Sequence, residues 1–232
     1  MNIGGLQKVT LLDYPGLVAC TVFLGGCNFR CPYCHNASLL DGRSQSVMSE
    51  EELLRFLAKR RGLLDGVCIT GGEPLLQSDL GPLLRQIRDQ GYRIKLDTNG
   101  TNPARLKEFV RLRLLDFVAM DIKNAPRRYA ETIGGVPFRM KDIEESVSFL
   151  LSGAIAYEFR TTVVSELHGE TEFVEMAQWL KGASHYYLQP FENRGDVLCG
   201  TLHAPTDEEL AAYLEIVRSY IPTAAIRGRM IR

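Results

Sequence analysis

A chain of 232 residues with 45% hydrophobic and 24% charged side chains has the composition of a globular protein with a sizeable core, in one large domain or two small ones. Its formal net charge of −1, with no sustained run of Lys and Arg, excludes a dominant electrostatic attraction to nucleic acid or to an anionic membrane. The longest apolar stretch, "LVACTVFL" from Leu17 to Leu24, falls far short of the roughly 20 residues of a spanning helix, and "MNIGGLQKVT" has no apolar signal region, so a cytoplasmic protein is expected.

In chain order, residues 1–14 read as an edge element. Short apolar or β-branched runs then recur: "LVACTVFL", "GVCIT", "YRIKLD", "LLDFVAM", "AYEFRTTVV" and "HYYLQPF". A helical pattern follows each of these strand candidates. Ser49 with Glu52 forms a capping box before "LLRFLAKR", Ser78 precedes "LLRQIRDQ", and Thr206 with Glu209 precedes "LAAYLEIVRSY". Gly91 stands where a helix stop is expected. Strands that read as continuous apolar runs, alternating with helices, predict a parallel sheet covered by helices. A complete eight-unit barrel takes about 250 residues. Six units in this length predict an α/β fold, a partial (β/α)6 TIM-like barrel with mostly parallel strands. No linker or composition shift divides the chain, so a single domain over 1–232 is expected, with its core over 15–200 and a C-terminal helix and edge segment over 201–232.

Ligands of β/α folds bind at the carboxyl ends of the strands, and polar residues gather there. "GGCNFRCPYCHN" follows the first strand, "GGEP" (Gly71 to Pro74) the second, "DTNG" (Asp97 to Gly100) the third and "DIK" (Asp121 to Lys123) the fourth. Arg160 lies within the fifth strand and Gln189 near the end of the sixth. Taken singly, "GGEP" and "DTNG" also read as tight turns, and Asp121 with Lys123 as an ion pair. The cysteines are more specific. Cys27, Cys31 and Cys34 make three ligands, one short of a structural zinc site or of a fully protein-ligated iron–sulfur cluster. Zinc would need a distant fourth ligand such as His35 or Cys68. Three thiolates suit a four-iron cluster with one iron left for a chelating small molecule. Cys20 and Cys68 sit in apolar runs as core residues, Cys199 reads as a catalytic or, more commonly, a free surface thiol, and His168, His185 and His203 are isolated.

"CNFRCPYC" resembles the Cys-x3-Cys-x2-Cys motif of the radical S-adenosylmethionine (radical SAM) superfamily, with Tyr33 before the last cysteine. That resemblance implies a 4Fe-4S cluster on Cys27, Cys31 and Cys34, whose open iron is chelated by S-adenosyl-L-methionine. It places Gly71, Gly72 and Glu73 at the methionine amino group and Tyr33 near the adenine. The stretch "GGLQKVTLLDYPGLVACTVFLGGCNFRCPYCHN", with "DTNG", "MDIK", "RTTVV" and "LQPF", is similar to glycyl radical enzyme activating proteins, closest to those of anaerobic ribonucleoside-triphosphate reductases. The likeness to this branch implies a monovalent cation at Asp97, Thr98 and Asp121 and cofactor contacts from Lys123 and Arg160. The implied partners are a glycyl radical enzyme and a flavodoxin- or ferredoxin-type electron donor. The implied reaction is reductive cleavage of the cofactor to a 5'-deoxyadenosyl radical that takes a hydrogen from a glycine of the partner enzyme. No clustered cysteines lie between Asn36 and Cys68, so one cluster is expected. A partial barrel would leave a side opening for a glycine-bearing loop, with a flat, largely uncharged surface beside the mouth. Two other readings remain at this stage: a radical SAM enzyme acting on a small molecule such as a deazapurine, and a non-catalytic iron–sulfur or zinc module.

Overall fold

A computed structural model describes residues 1–42, 45–193 and 196–228 of the chain. β1 (Ile3–Thr10) runs antiparallel to β2 (Ala19–Leu24), with Ile3 opposite Leu24 and an irregularity between Gln7 and Thr10. From β2 onward every pairing is parallel: β3 (Gly66–Gly71), β4 (Arg93–Thr98), β5 (Phe117–Asp121), β6 (Ala156–Val163), β7 (Tyr186–Pro190) and the short β8 (Ala225–Ile226) follow in sequence order. The expected strands are β2 to β7, and the expected edge elements supply β1 and β8. These two edges do not pair with each other, so the sheet stays open.

Helices occupy the connections. α1 (Glu50–Ala58) starts at the Ser49–Glu52 capping box, and α7 (Asp207–Arg218) at the Thr206–Glu209 box. α2 (Leu80–Asp89) begins one residue later than Ser78 suggested: Asp79 is its N-cap, and the Ser78 hydroxyl bonds the Asp79 carboxylate at 3.0 Å instead of a backbone amide. Gly91 follows α2 with a φ of 92°, a left-handed turn that glycine adopts without strain. The remaining helices are α3 (Pro103–Arg111), the single turn α4 (Tyr129–Thr132), α5 (Met140–Leu151) and α6 (Glu170–Trp179).

Strand alternation sends Val22 and Leu24, Val67 and Ile69, Ile94 and Leu96, and Val118 and Met120 outward into the layer of helices, where all are fully buried. The core lies there, completed by Leu53, Leu57, Leu83, Ile87, Leu106 and Ile143. The opposite face differs from the continuous apolar runs read in the sequence. Lys95, Asp97, Asp121, Glu158 and Arg160 point inward, and the concave side of the sheet is polar. No helix among the described residues is long and apolar enough to cross a membrane.

Candidate active site

The cysteine loop leaves β2 and is tied down mostly by backbone. The Gly26 amide donates to the Leu39 carbonyl at 2.7 Å and the Cys27 amide to Leu40 at 3.1 Å. Cys34 closes a turn on Cys31 at 3.0 Å, and the Cys27 Sγ accepts from the Phe29 amide at 3.4 Å. Arg30 reaches the Cys27 and Phe29 carbonyls at 2.7 and 2.8 Å. Its own carbonyl sits so close to Gly134, whose φ is 84°, that a Cβ there would lie 2.4 Å from it. Burial raises the Cys27 thiol to about 12 and pushes Cys31 and Cys34 up as well. These groups therefore stay protonated until a cationic centre takes them as thiolates.

"GGEP" packs directly against this loop. The Glu73 amide donates to the Gly26 carbonyl at 2.8 Å, and a Cβ on Gly72 would fall 2.0 Å from that oxygen, so only glycine allows the approach. The backbone of Gly71 and Gly72 lines the cavity. Glu73 does not. Its side chain is 0% exposed, and its carboxylate accepts from the Leu75 amide at 3.0 Å, the Thr98 hydroxyl at 2.8 Å and the Asn99 amide at 2.6 Å. In this structure Glu73 is a clasp between the loops after β3 and β4. Burial raises it to about 7 against the lowering effect of Asn99, Thr98 and Leu75.

A second tie runs from the loop after β4 back to the cysteines. The Asn99 amide group donates to Asn28 Oδ1 at 2.9 Å, Asn28 Nδ2 donates to Thr101 Oγ1 at 2.9 Å, and that hydroxyl donates to Asn99 Oδ1 at 2.7 Å. Asn28 lies between two of the cysteines. Neither asparagine was singled out from the sequence, where Asn-Gly reads as turn chemistry alone.

The facing wall is a row of alternating charges. Lys95 bonds Asp97, Arg160 bridges Asp97 at 3.1 Å and Asp121 at 2.8 Å, and Lys123 bonds Asp121 at 3.0 Å. Three cations and two anions leave one positive charge in excess, at a wall that shares the cavity with three neutral thiols. Burial opposes ionisation of both carboxyls, but Arg160 and Lys95 hold Asp97 below its ordinary value, and Arg160 and Lys123 hold Asp121 lower still. Burial likewise works against the Lys123 ammonium, and Asp121 more than restores it, well above the usual value. The Arg160 guanidinium thus stands between the two carboxylates assigned to a monovalent cation, and Thr98 is spent on Glu73, so these side chains are already satisfied by the protein. Lys95, and the Glu158–Arg227 pair at 2.7 Å, were missed because inward charges hide inside short runs that otherwise read as core strands.

The walls enclose one cavity of about 700 Å³, lined by all three cysteines, Tyr33, Gly71, Gly72, Asp97, Thr98, Asp121, Lys123, Arg160 and Gln189. Apart from Glu73, the residues expected at the site therefore converge. Tyr33 is buried, and its hydroxyl has no hydrogen-bond partner among the described residues. Of the histidines, His168 is buried behind the wall: Nδ1 accepts from the Val164 amide at 3.1 Å, so Nε2 carries the proton and donates to the Lys123 carbonyl at 2.9 Å. His35 stacks on Phe191 at 5.5 Å and bonds the Glu192 carbonyl at 2.7 Å, and the Cys199 amide donates to Pro32 at 2.9 Å. Among the described residues no group of three or more His, Cys, Asp or Glu side chains is placed to hold a single metal ion. Three cysteine thiols lining one cavity fit a four-iron cluster that leaves one iron without a protein ligand. The unpartnered Tyr33 hydroxyl and the excess positive charge opposite fit a polar, carboxylate-bearing cofactor beside it.

Residues 21–164 match the model of the radical SAM superfamily. The chain is 30% identical to a protein of Methanocaldococcus jannaschii named as a glycyl-radical enzyme activating enzyme, over 97% of this chain and 95% of that one. It is 34% identical to the pyruvate formate-lyase-activating enzyme of Clostridium pasteurianum over 53% of this chain and 52% of that one. In structure it is similar to a domain of the pyruvate-formate lyase-activating enzyme of Bacteroides vulgatus, with a TM-score of 0.58 at 20% identity, covering 70% of this chain and 99% of that domain.

Proposed function

Because the chain belongs to the radical SAM superfamily, we propose that this enzyme activates a glycyl radical enzyme, with an anaerobic ribonucleoside-triphosphate reductase as its partner. When bound, a 4Fe-4S cluster and S-adenosyl-L-methionine supply the reducing electron and the carbon radical that removes a hydrogen from the partner's glycine. The chain's own residues bind and orient. Cys27, Cys31 and Cys34 hold the cluster. The Gly71–Gly72 backbone receives the cofactor's amino group, Lys123 and Arg160 its carboxylate, and Tyr33 its adenine. Glu73 and the Asn28–Asn99 tie fix the three loops in register, and the wall at Lys123 balances charge gained by the thiolates. An electron donor of flavodoxin or ferredoxin type completes the set of partners.

The observation that carries this reading is that three thiols, a glycine edge and a charge row share one cavity on a sheet that stays open between β1 and β8. The test is anaerobic. The protein is reconstituted with iron and sulfide, given dithionite and S-adenosyl-L-methionine, and mixed with an anaerobic ribonucleotide reductase. 5'-Deoxyadenosine and a glycyl radical seen by electron paramagnetic resonance are expected together. Cofactor cleavage without a radical on any glycyl radical enzyme would overturn the activase reading.

A further inference from the structure

Lys123 stands just past the end of β5, where the sheet stops holding the chain. Ile122 is still tied to β6: its amide donates to the Arg160 carbonyl at 2.8 Å, and its carbonyl accepts from the Thr161 hydroxyl at 2.8 Å. At Lys123 both backbone polar groups are taken by side chains instead. The amide donates to the Tyr129 hydroxyl at 3.3 Å, and the carbonyl accepts from His168 Nε2 at 2.9 Å.

His168 comes from the turn after β6 and is itself firmly held. It is buried, its amide donates to the Val164 carbonyl at 3.0 Å, and its carbonyl accepts from the Tyr213 hydroxyl of α7 at 3.4 Å. Its ring lies 6.0 Å from that of Phe173 in α6. Burial holds the imidazole below its ordinary value, so the ring is neutral and has one N–H to give. The carbonyl opposite Nε2 needs that proton, which leaves Nδ1 to accept from the Val164 amide at 3.1 Å. One ring thus joins the end of β6 to the backbone of Lys123. The ammonium of that lysine meets Asp121 at 3.0 Å on the cavity wall. A lysine stem turns freely along its length, so the peptide group it leaves from decides where its head can reach.

We propose that His168 is a positioning residue for cofactor binding: by fixing the Lys123 carbonyl it aims the Lys123 ammonium at the carboxylate of S-adenosyl-L-methionine. This inference rests on the cofactor contact assigned to Lys123 under the proposed function and adds the group that sets its direction. His168 does not line the cavity, so it acts through the lysine and not on the cofactor. A histidine that only filled the core would bond any nearby backbone. This one spends its single donor on the backbone of a residue whose head group stands at the site, beyond the last strand pairing that could hold it. The bond to Tyr129 is longer, and it holds the amide side of the same residue, so the carbonyl side depends on His168.

The test separates the two bonds of the ring. A glutamine amide nitrogen occupies the place of Nε2 and keeps the donor to Lys123 while losing the acceptor for Val164. An asparagine oxygen occupies the place of Nδ1 and does the reverse. Binding of S-adenosyl-L-methionine to the anaerobically reconstituted protein is read by isothermal titration calorimetry. His168→Asn should weaken binding about tenfold, and His168→Gln should stay within about twofold of the wild type. In a Lys123→Met background His168→Asn should cost less than about twofold more, because the head it aims is gone. Thermal melts check that the variants fold, and His168→Leu, which lacks both bonds, takes the place of an asparagine variant that does not. Wild-type affinity in His168→Asn, equal losses in the asparagine and glutamine variants, or a full loss on top of Lys123→Met would each overturn the positioning role. Binding needs no partner protein, which separates this from the activase reading. The expected pattern without a glycyl radical on any partner would remove the activase and leave His168. A radical formed while the pattern is absent would remove His168 alone, and a wild-type protein that binds no cofactor would remove both.

Discussion

The cysteine loop and the strand ends that face it form one cavity from opposite materials. The loop is held by backbone and amide hydrogen bonds around thiols that burial keeps neutral, whereas the ends of β4, β5 and β6 are held by a partly buried row of full charges. The charged wall exists before anything binds, since each ion already has its counter-ion. The thiol wall becomes charged only on loading, and Lys123 is placed to meet that change. On the proposed function, preorganisation lies on the side that would orient the cofactor, and chemical responsiveness on the side that would hold the cluster.

The sharpest way to break this division is to remove a thiol. Cys31→Ala should take iron binding and 5'-deoxyadenosine formation to background while the melting temperature of the cluster-free protein hardly changes, because the wall opposite does not depend on it. Iron analysis and chromatography check the first part, calorimetry the second. In contrast, Arg160→Leu should damage the fold itself: two partly buried carboxylates each lose a partner, at a cost of up to about 3–5 kcal/mol in a urea melt. Arg160→Lys should recover only part of this, because an ammonium cannot bridge Asp97 and Asp121 as the guanidinium does.

Glu73 sharpens the comparison through pH. Its value rises from an ordinary 4.5 to about 7 on burial. A carboxyl raised in the folded state contributes stability that is fully present below its unfolded value and lost as pH climbs through the folded one. Between pH 5 and 8 the wild-type protein should therefore lose about 2–3 kcal/mol more than Glu73→Gln, whatever the offset between them, in paired urea melts across that range. The smallest effect belongs to the asparagine tie. Asn28→Ala removes two side-chain hydrogen bonds to the Asn99–Thr101 turn and should cost about 1–2 kcal/mol. If its loss of cofactor affinity exceeded that of Arg160→Leu, the assignment of orientation to the charged wall would be wrong.

Some of this was readable directly. Ser49–Glu52 and Thr206–Glu209 marked true helix starts because a capping box is a local arrangement of a few neighbouring residues. The six strands stood out because their outward positions are apolar. Ser78 failed as a cap since its hydroxyl had a competing acceptor in Asp79, a choice that residue types alone do not decide. Lys95 and Glu158 were passed over because a charge within a strand run gives no sign of which face it occupies until its partners, Asp97 and Arg227, are brought from other strands. Glu73 was legible as a site residue by motif, while its turn away from the cavity follows from Thr98 and Asn99, more than 20 positions on.

By itself the sequence determined the chemistry: three thiols at fixed spacing, glycines where backbone must approach backbone, and a β/α rhythm that brings strand ends together. Those are properties of residue type and local periodicity, complete within a few neighbouring positions. Tertiary structure decided which groups touch: that Arg160 bridges two aspartates, that Glu73 binds loops together, and that His168 reaches the carbonyl of Lys123. Each depends on pairings across distant strands, where burial turns a charge or a hydroxyl from a surface detail into an obligation to find a partner.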